Sequence, residues 1–129
     1  VAGPSWEGFA IENLISAAGE RRVPYFYRTE DGAEMDLLFE RAGKVEIAIE
    51  IKRSSSPSLS KGFHSARAVL KPAKTYLVHG GKESWPISEG IEAVPLLELM
   101  RRLARVNPLG ESLPAVGLRR PAKDPESPA

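Results

Sequence analysis

The chain has 129 residues, 42% hydrophobic and 27% charged, which is enough for one domain with its own core. It contains no cysteine, so disulfides and thiolate metal sites are excluded, and a reducing, cytoplasmic location is the expectation. The net charge is only +1, but it is unevenly spread: no acid falls between Glu50 and Glu83, while Lys52, Arg53, Lys61, Arg67, Lys71, Lys74 and Lys82 do. A phosphate backbone is one partner for such a stretch, and a solvated basic face is the other reading. No segment approaches the roughly 18 apolar residues of a membrane helix, and the start lacks a signal peptide's pattern, so no membrane partner is expected. The first residues, Val-Ala-Gly-Pro, carry no methionine and read as part of something longer.

Trp6 to Ala18 has helical spacing, with Ser5 as N-cap and Gly19 as stop. Val23 to Arg28 favours a strand, Asp31-Gly32 a turn, and Ala33 to Phe39 a second strand. Ala42-Gly43 turns the chain into a third strand, Val45 to Ile51. Ser54 to Ser60 is a Ser/Pro loop, and Leu59 to Leu70 reads as a second helix ended by Pro72. Ala73 to Val78 is a fourth strand, and the crossover before it is long enough for parallel pairing with the third. Ile91 to Val94 reads as a short edge strand, and Pro95 suits the first turn of a last helix, Leu96 to Leu103. Residues 1–105 form the expected domain, and 106–129 a Pro-rich tail. No internal repeat is visible.

Strand alternation then assigns faces. Met35, Leu37 and Phe39 should share one face of the second strand, with Glu34, Asp36 and Leu38 on the other. Val45, Ile47, Ile49 and Ile51 should oppose Glu46, Ala48, Glu50 and Lys52 on the third. Joining the apolar faces brings Asp36 beside Glu50 on strands about 4.8 Å apart. Two such carboxylates plus a phosphate make an ordinary Mg²⁺ site. Lys52, one strand period from Glu50, can hold an attacking water or charge growing on a phosphate. The structural alternatives are ion pairs: Lys52 with Glu50 or Glu34, and Glu34 with Arg28. Gly8, one turn before Glu12, offers the helix a close approach to the sheet. His64 and His79 are too far apart for a local metal motif and read as surface or loop residues. Gly80-Gly81-Lys82 is not a phosphate loop, because Tyr76 and Glu83 stand where a glycine and a Ser or Thr are needed.

A helix glutamate (Glu12), a strand aspartate (Asp36) and Glu50-x-Lys52 on the next strand, in that order, resemble the PD-(D/E)XK nuclease superfamily. Within it, the chain is similar to the C-terminal nuclease-like domain, of unknown function, that follows the ATPase region of prokaryotic AAA+ proteins. The matching motifs are Gly8-x-x-x-Glu12, Tyr27-Arg28, Gly32-x-Glu34-x-Asp36, Glu50-x-Lys52 with Ser54 and Ser55, and Ala93-Val94-Pro95-Leu96. The helix after Glu50-x-Lys52 has no glutamine, so the extended motif of the RecB-like branch is absent. The resemblance spans roughly residues 5 to 100. It implies an α/β, restriction-endonuclease-like core, helix-strand-strand-strand-helix-strand, with a central mixed four-stranded sheet flanked by helices. It implies Asp36 and Glu50 as ligands of Mg²⁺ or Mn²⁺, Lys52 as the catalytic lysine and Glu12 as an accessory acid. The implied activity is hydrolysis of DNA phosphodiesters, with Arg53, Lys61, Arg67, Lys71 and Lys74 gripping the flanking backbone. An attached ATPase domain is the implied partner; oligomeric state is not readable. A second reading keeps the same fold as a silent module that binds nucleic acid or protein and regulates that ATPase.

Overall fold

The structure, a computed structural model, describes residues 5–54 and 58–105. The chain order is α1 (Trp6–Ala18), β1 (Val23–Arg28), β2 (Glu34–Arg41), β3 (Lys44–Ile51), α2 (Lys61–Leu70), β4 (Lys74–His79), β5 (Trp85–Ser88), β6 (Ile91–Pro95) and α3 (Leu96–Arg105). The expected tail, 106–129, and Ser55 lie outside the described residues.

The strands form one mixed sheet of order β1-β2-β3-β4-β6-β5. β1, β2 and β3 form an antiparallel meander, while β4 and β6 run parallel to β3. The expected mixed sheet is therefore present, with six strands rather than four. β5 was missed because its Trp-Pro-Ile-Ser is short, interrupted by proline and fully exposed, so no alternation marks it. β5 takes the edge, and β6 lies inside, between β4 and β5, with Ile91, Ala93 and Val94 buried. Pro95 does not open α3; it closes β6 opposite His79, a position where no ladder N–H is required of it.

Each turn follows from its residues. Ala42 and Gly43 both have positive φ (56° and 78°), the backbone a two-residue hairpin needs between Arg41 and Lys44. Ser5 caps α1 by accepting from the Gly8 N–H at 3.0 Å, and Ser60 caps α2 by accepting from the Phe63 N–H at 3.1 Å. α2 therefore begins at Lys61, two residues later than the apolar pattern suggested.

The sheet is covered on both faces. α1 and α3 pack with Leu37, Phe39, Ile47, Ile49, Ile51, Tyr76 and Val78 in the larger core. Phe63 and Ala66 of α2 pack with Met35, Leu38, Ala48 and Ile91 in the smaller one. Met35 thus does not share a face with Leu37 and Phe39. Tyr25 faces Leu38 and Tyr27 faces Met35, so Phe26 alone stands opposite both Asp36 and Leu37. This is a β-bulge, and its extra residue reverses the alternation between Met35 and Leu37.

Candidate functional site

The bulge sits where the chemistry was expected. Leu37 pairs with Ile49 across the antiparallel ladder, so the next step out places Asp36 beside Glu50. In β3, successive N–H groups point to opposite neighbours: Lys52 donates to the Val78 carbonyl of β4 at 2.8 Å, and Ile51 points back toward β2. There the Asp36 carboxylate takes the place of a backbone acceptor, with Oδ2 accepting from the Ile51 N–H at 2.8 Å. The bulge re-aims Asp36, and that hydrogen bond fixes it at the end of β3.

Glu50 is buried, with only 4% of its surface exposed. Its Oε2 lies 3.4 Å from Lys52 Nζ, but its buried Oε1 has no hydrogen-bond partner. Burial pushes its pKa from 4.5 up to about 7, the Asp36 charge adds to the rise, and Lys52 opposes it. A buried carboxylate oxygen without a donor costs free energy, on the order of 1–3 kcal/mol or more for a charged group. The residues at this point lack positive charge, not acid.

The three strand-borne residues, Asp36, Glu50 and Lys52, are thus together at the C-terminal end of β3. That end of parallel strands is where α/β sheets place ligands. Glu12 is not with them. It is exposed on α1, and a Cβ at Gly8 would meet only Ser5 Oγ, at 3.4 Å, so Gly8 serves no close approach to the sheet. Glu7, in the first turn of α1, lies near enough to Asp36 and Lys52 for their charges to act on it. Partial burial and the Asp36 charge and hydrogen bond push its pKa up, and Lys52 opposes them. An acid in the first turn also suits the start of a helix, and no apolar spacing distinguishes Glu7 from Glu12. Glu34 also acts on Glu50, and pairs with Arg28 at 3.4 Å.

The basic stretch divides between the two ends of the sheet. Arg53 and Lys61 are exposed at the acid end, following β3 and opening α2. Arg67 is committed within the fold: Nε donates to Thr75 Oγ1 at 3.2 Å and an η-nitrogen to the Glu89 carbonyl at 3.3 Å. Lys71, the left-handed C-cap of α2, and exposed Lys74 lie at the opposite end. There Lys71, Lys44, Arg41 and Glu46 line an open groove of about 630 Å³. α2 has 10 residues, so it separates the two ends by about 15 Å at 1.5 Å per residue. His64 is exposed as expected, but His79 is buried. His79 Nδ1 accepts from the Gly81 N–H at 2.9 Å, which leaves the ring proton on Nε2 to donate to the Glu83 carbonyl at 2.9 Å. Both nitrogens are used in holding the 80–84 turn, and the ring packs on Trp85.

Among the described residues, no three Asp, Glu, His or Cys side chains already converge as a cation cage. Asp36 and Glu50 lie side by side on adjacent strands, with Lys52 paired to Glu50. The arrangement can hold one hard cation between two carboxylates, with water and a phosphate completing the shell. The orphaned Glu50 oxygen fits such an ion.

An α/β domain with a charged site at the ends of its parallel strands is the class that fold and geometry define. Residues 2–99 match the family model described as "Domain of unknown function (DUF4143)", and the chain belongs to that family. It is 37% identical over 98 residues to two uncharacterized mycobacterial proteins, Mb2031c of Mycobacterium bovis and Rv2008c of Mycobacterium tuberculosis. The match covers 76% of this chain and 22% of each relative, so the chain spans about a fifth of their length. No solved structure matches. No helix among the described residues is long and apolar enough to cross a membrane.

Proposed function

We propose that this domain is a metal-dependent nuclease of the PD-(D/E)XK type, with a restriction-endonuclease-like core, working as part of a longer AAA+ ATPase-type protein. One observation carries the reading: Glu50 Oε1 is buried without a donor, beside Asp36 and next to Lys52. Asp36 and Glu50 would hold Mg²⁺ or Mn²⁺. When bound, the cation lowers the pKa of a water and neutralises charge on a phosphodiester. Lys52, still 38% exposed at its side chain, orients that water or stabilises charge developing on the phosphate. Ile51 N–H keeps Asp36 in place, and Arg53 and Lys61, both exposed near the acids, would contact the DNA backbone.

The test is cleavage of plasmid and single-stranded DNA with Mg²⁺ or Mn²⁺, with and without chelator. Asp36→Ala and Lys52→Ala should each lower metal-dependent cleavage by about 10³-fold or more. Cleavage at the wild-type rate in either variant overturns the mechanism. A second reading, a silent module that binds DNA or protein and regulates an attached ATPase, is favoured by the partners the acids already have. Lys52 partly neutralises Glu50, and Ile51 caps Asp36. DNA binding with no cleavage under any divalent ion decides for that reading.

A further inference from the structure

The end of the sheet away from the acids carries a surplus of positive charge around its open groove of about 630 Å³. Arg41, Lys44 and Lys71 line the groove, and Glu46 is the one acid among its described lining residues. That acid is already matched: Arg22 Nε lies 3.0 Å from one of its oxygens and Arg41 Nη2 3.0 Å from the other. Neither Lys44 nor Lys71 forms an ion pair among the described residues. Arg41 and Lys44 are also direct partners across the β2–β3 ladder. Like charges placed opposite one another weaken a strand pair, and a solvated basic face has no need of that arrangement.

The backbone supplies a second, independent observation. Ala42 and Lys71, at φ 56° and 49°, are the two non-glycine residues of positive φ among the described residues, and both line the groove. Glycine is the favoured residue at a left-handed helix cap and in a two-residue hairpin turn, and a side chain there costs free energy. A lysine near a helix C-terminus does suit the dipole. It would do so equally from the last turn of α2, without a left-handed backbone. At the cap, Lys71 instead stands on the groove shared with the β2–β3 hairpin.

We propose that this groove binds a small phosphorylated compound, with its phosphate among Arg41, Lys44 and Lys71 and its organic part on Val45 and Leu70. Charge complementarity favours a phosphate: Arg41, held by Glu46, offers its remaining N–H groups as a planar fork, and the two lysines add point charges. The volume lies in the range of roughly 300–1,000 Å³ usual for small-molecule sites, where a few polar groups converge over apolar surface. A continuous nucleic-acid track is the poorer fit. Arg67, the one Lys or Arg between Lys61 and Lys71, is turned to Thr75 and the Glu89 carbonyl, so no basic row joins the groove to the acid end. The site does not depend on the nuclease reading.

The test is a titration of the full chain with inorganic pyrophosphate, followed by amide NMR, in chelator and at an ionic strength of about 0.15 M. Saturable shifts are expected at Ala42, Gly43, Lys44 and Lys71, with a Kd on the order of 1 mM or tighter. Lys44→Gln and Lys71→Gly should each weaken binding by about tenfold. Lys71→Gly should melt no lower than wild type, because glycine suits the left-handed cap, so its loss of affinity is not a loss of fold. Lys82→Gln, an exposed lysine elsewhere, should bind as wild type does. Absence of saturable shifts at the groove overturns the proposal, and so does wild-type affinity in Lys71→Gly. An equal loss in Lys82→Gln overturns it as well, since that marks diffuse attraction. A single-stranded or duplex DNA oligonucleotide that binds at the same amides more tightly per phosphate than pyrophosphate assigns the groove to a nucleic-acid backbone and overturns the small-molecule site. With divalent ions chelated, none of these outcomes bears on the metal site.

Discussion

Glu46 and Glu50 stand on the same strand, two strand periods apart, and the structure treats them in opposite ways. Glu46, 24% exposed at its side chain, is held by two guanidinium groups: Arg22 at 3.0 Å and Arg41 at 3.0 Å. Glu50, only 5% exposed, has a single ammonium at 3.4 Å and one oxygen with no donor. The more deeply buried acid has the fewer partners, the reverse of what stability alone would select. One end of β3 is finished as structure. The other is left short of positive charge, and it is the end where the bulge delivers Asp36.

The largest stability effect should come from breaking the finished end. Arg22 is buried, and besides Glu46 it donates to the Ala18 and Leu103 carbonyls at 3.0 and 3.3 Å, tying the ends of α1 and α3 to β3. Arg22→Met should cost about 3–5 kcal/mol in urea denaturation, because it strips a partner from a half-buried charge. A cost under about 1 kcal/mol would mean that the two ends do not differ in the way described.

At the unfinished end, the corresponding effect depends on pH. The folded state prefers protonated Glu50, whose pKa is raised from 4.5 to about 7. Its stability contribution is therefore complete below about pH 4.5 and is lost as pH rises through about 7. The full difference is on the order of 3 kcal/mol at 1.36 kcal/mol per pH unit, an upper value for a group beside other charges. Glu50→Gln should flatten this slope and leave metal-free protein at pH 8 more stable than wild type, as read by thermal melts across pH. A wild-type slope that survives the substitution assigns it to another group.

The difference between the two ends was only partly legible in the sequence. Alternation of Ile47, Ile49 and Ile51 correctly separates the larger-core face of β3 from Ala48, but it fails at Val45, which packs on the smaller core beside Ala48 because the register with β2 shifts between Phe39 and Glu40. Glu50-x-Lys52 could be read the same way. Alternation fails in β2 because a bulge depends on the pairing partner: only opposite β1 do Asp36 and Leu37 share one neighbour. Glu7 and Glu12 are both glutamates of one helix, and nothing in their spacing shows that Glu7 is the one that feels the Asp36 charge. Arg22 follows the glycine stop as one of two adjacent arginines, and nothing local marks it as the buried one. β5 lacks any apolar period, so its pairing with β6 is purely tertiary.

A smaller effect concerns the wall of the site. A Cβ at Gly62 would fall 2.3 Å from the Gly32 carbonyl oxygen, with Glu34 Cγ 3.6 Å away. Gly62→Ala must therefore push the start of α2 off the β1–β2 turn, costing about 1–3 kcal/mol in denaturation. It should also loosen the Glu34 side of the site without touching the Arg22 clamp. Equal stability of the two proteins would show that α2 can shift freely at this point.

The smallest stability effect should give the finest comparison of the two ends. Arg28 and Glu34 pair at 3.4 Å, with side chains 77% and 45% exposed, so Arg28→Ala should change stability by less than about 0.5 kcal/mol. Its electrostatic effect reaches further than its stability effect. Glu34 already raises the pKa of Glu50, and without Arg28 beside it that negative charge is less compensated. The Glu50 titration midpoint, followed by carbon NMR of its carboxyl, should therefore move up in Arg28→Ala. Added salt should reduce the movement, because Glu34 acts from a half-exposed position. The Glu46 carboxyl signal should not respond, since two arginines hold it at the far end of the strand. A shift at Glu46 as large as at Glu50 would mean that the substitution disturbs the whole sheet, and that the two ends of β3 are not electrostatically separate.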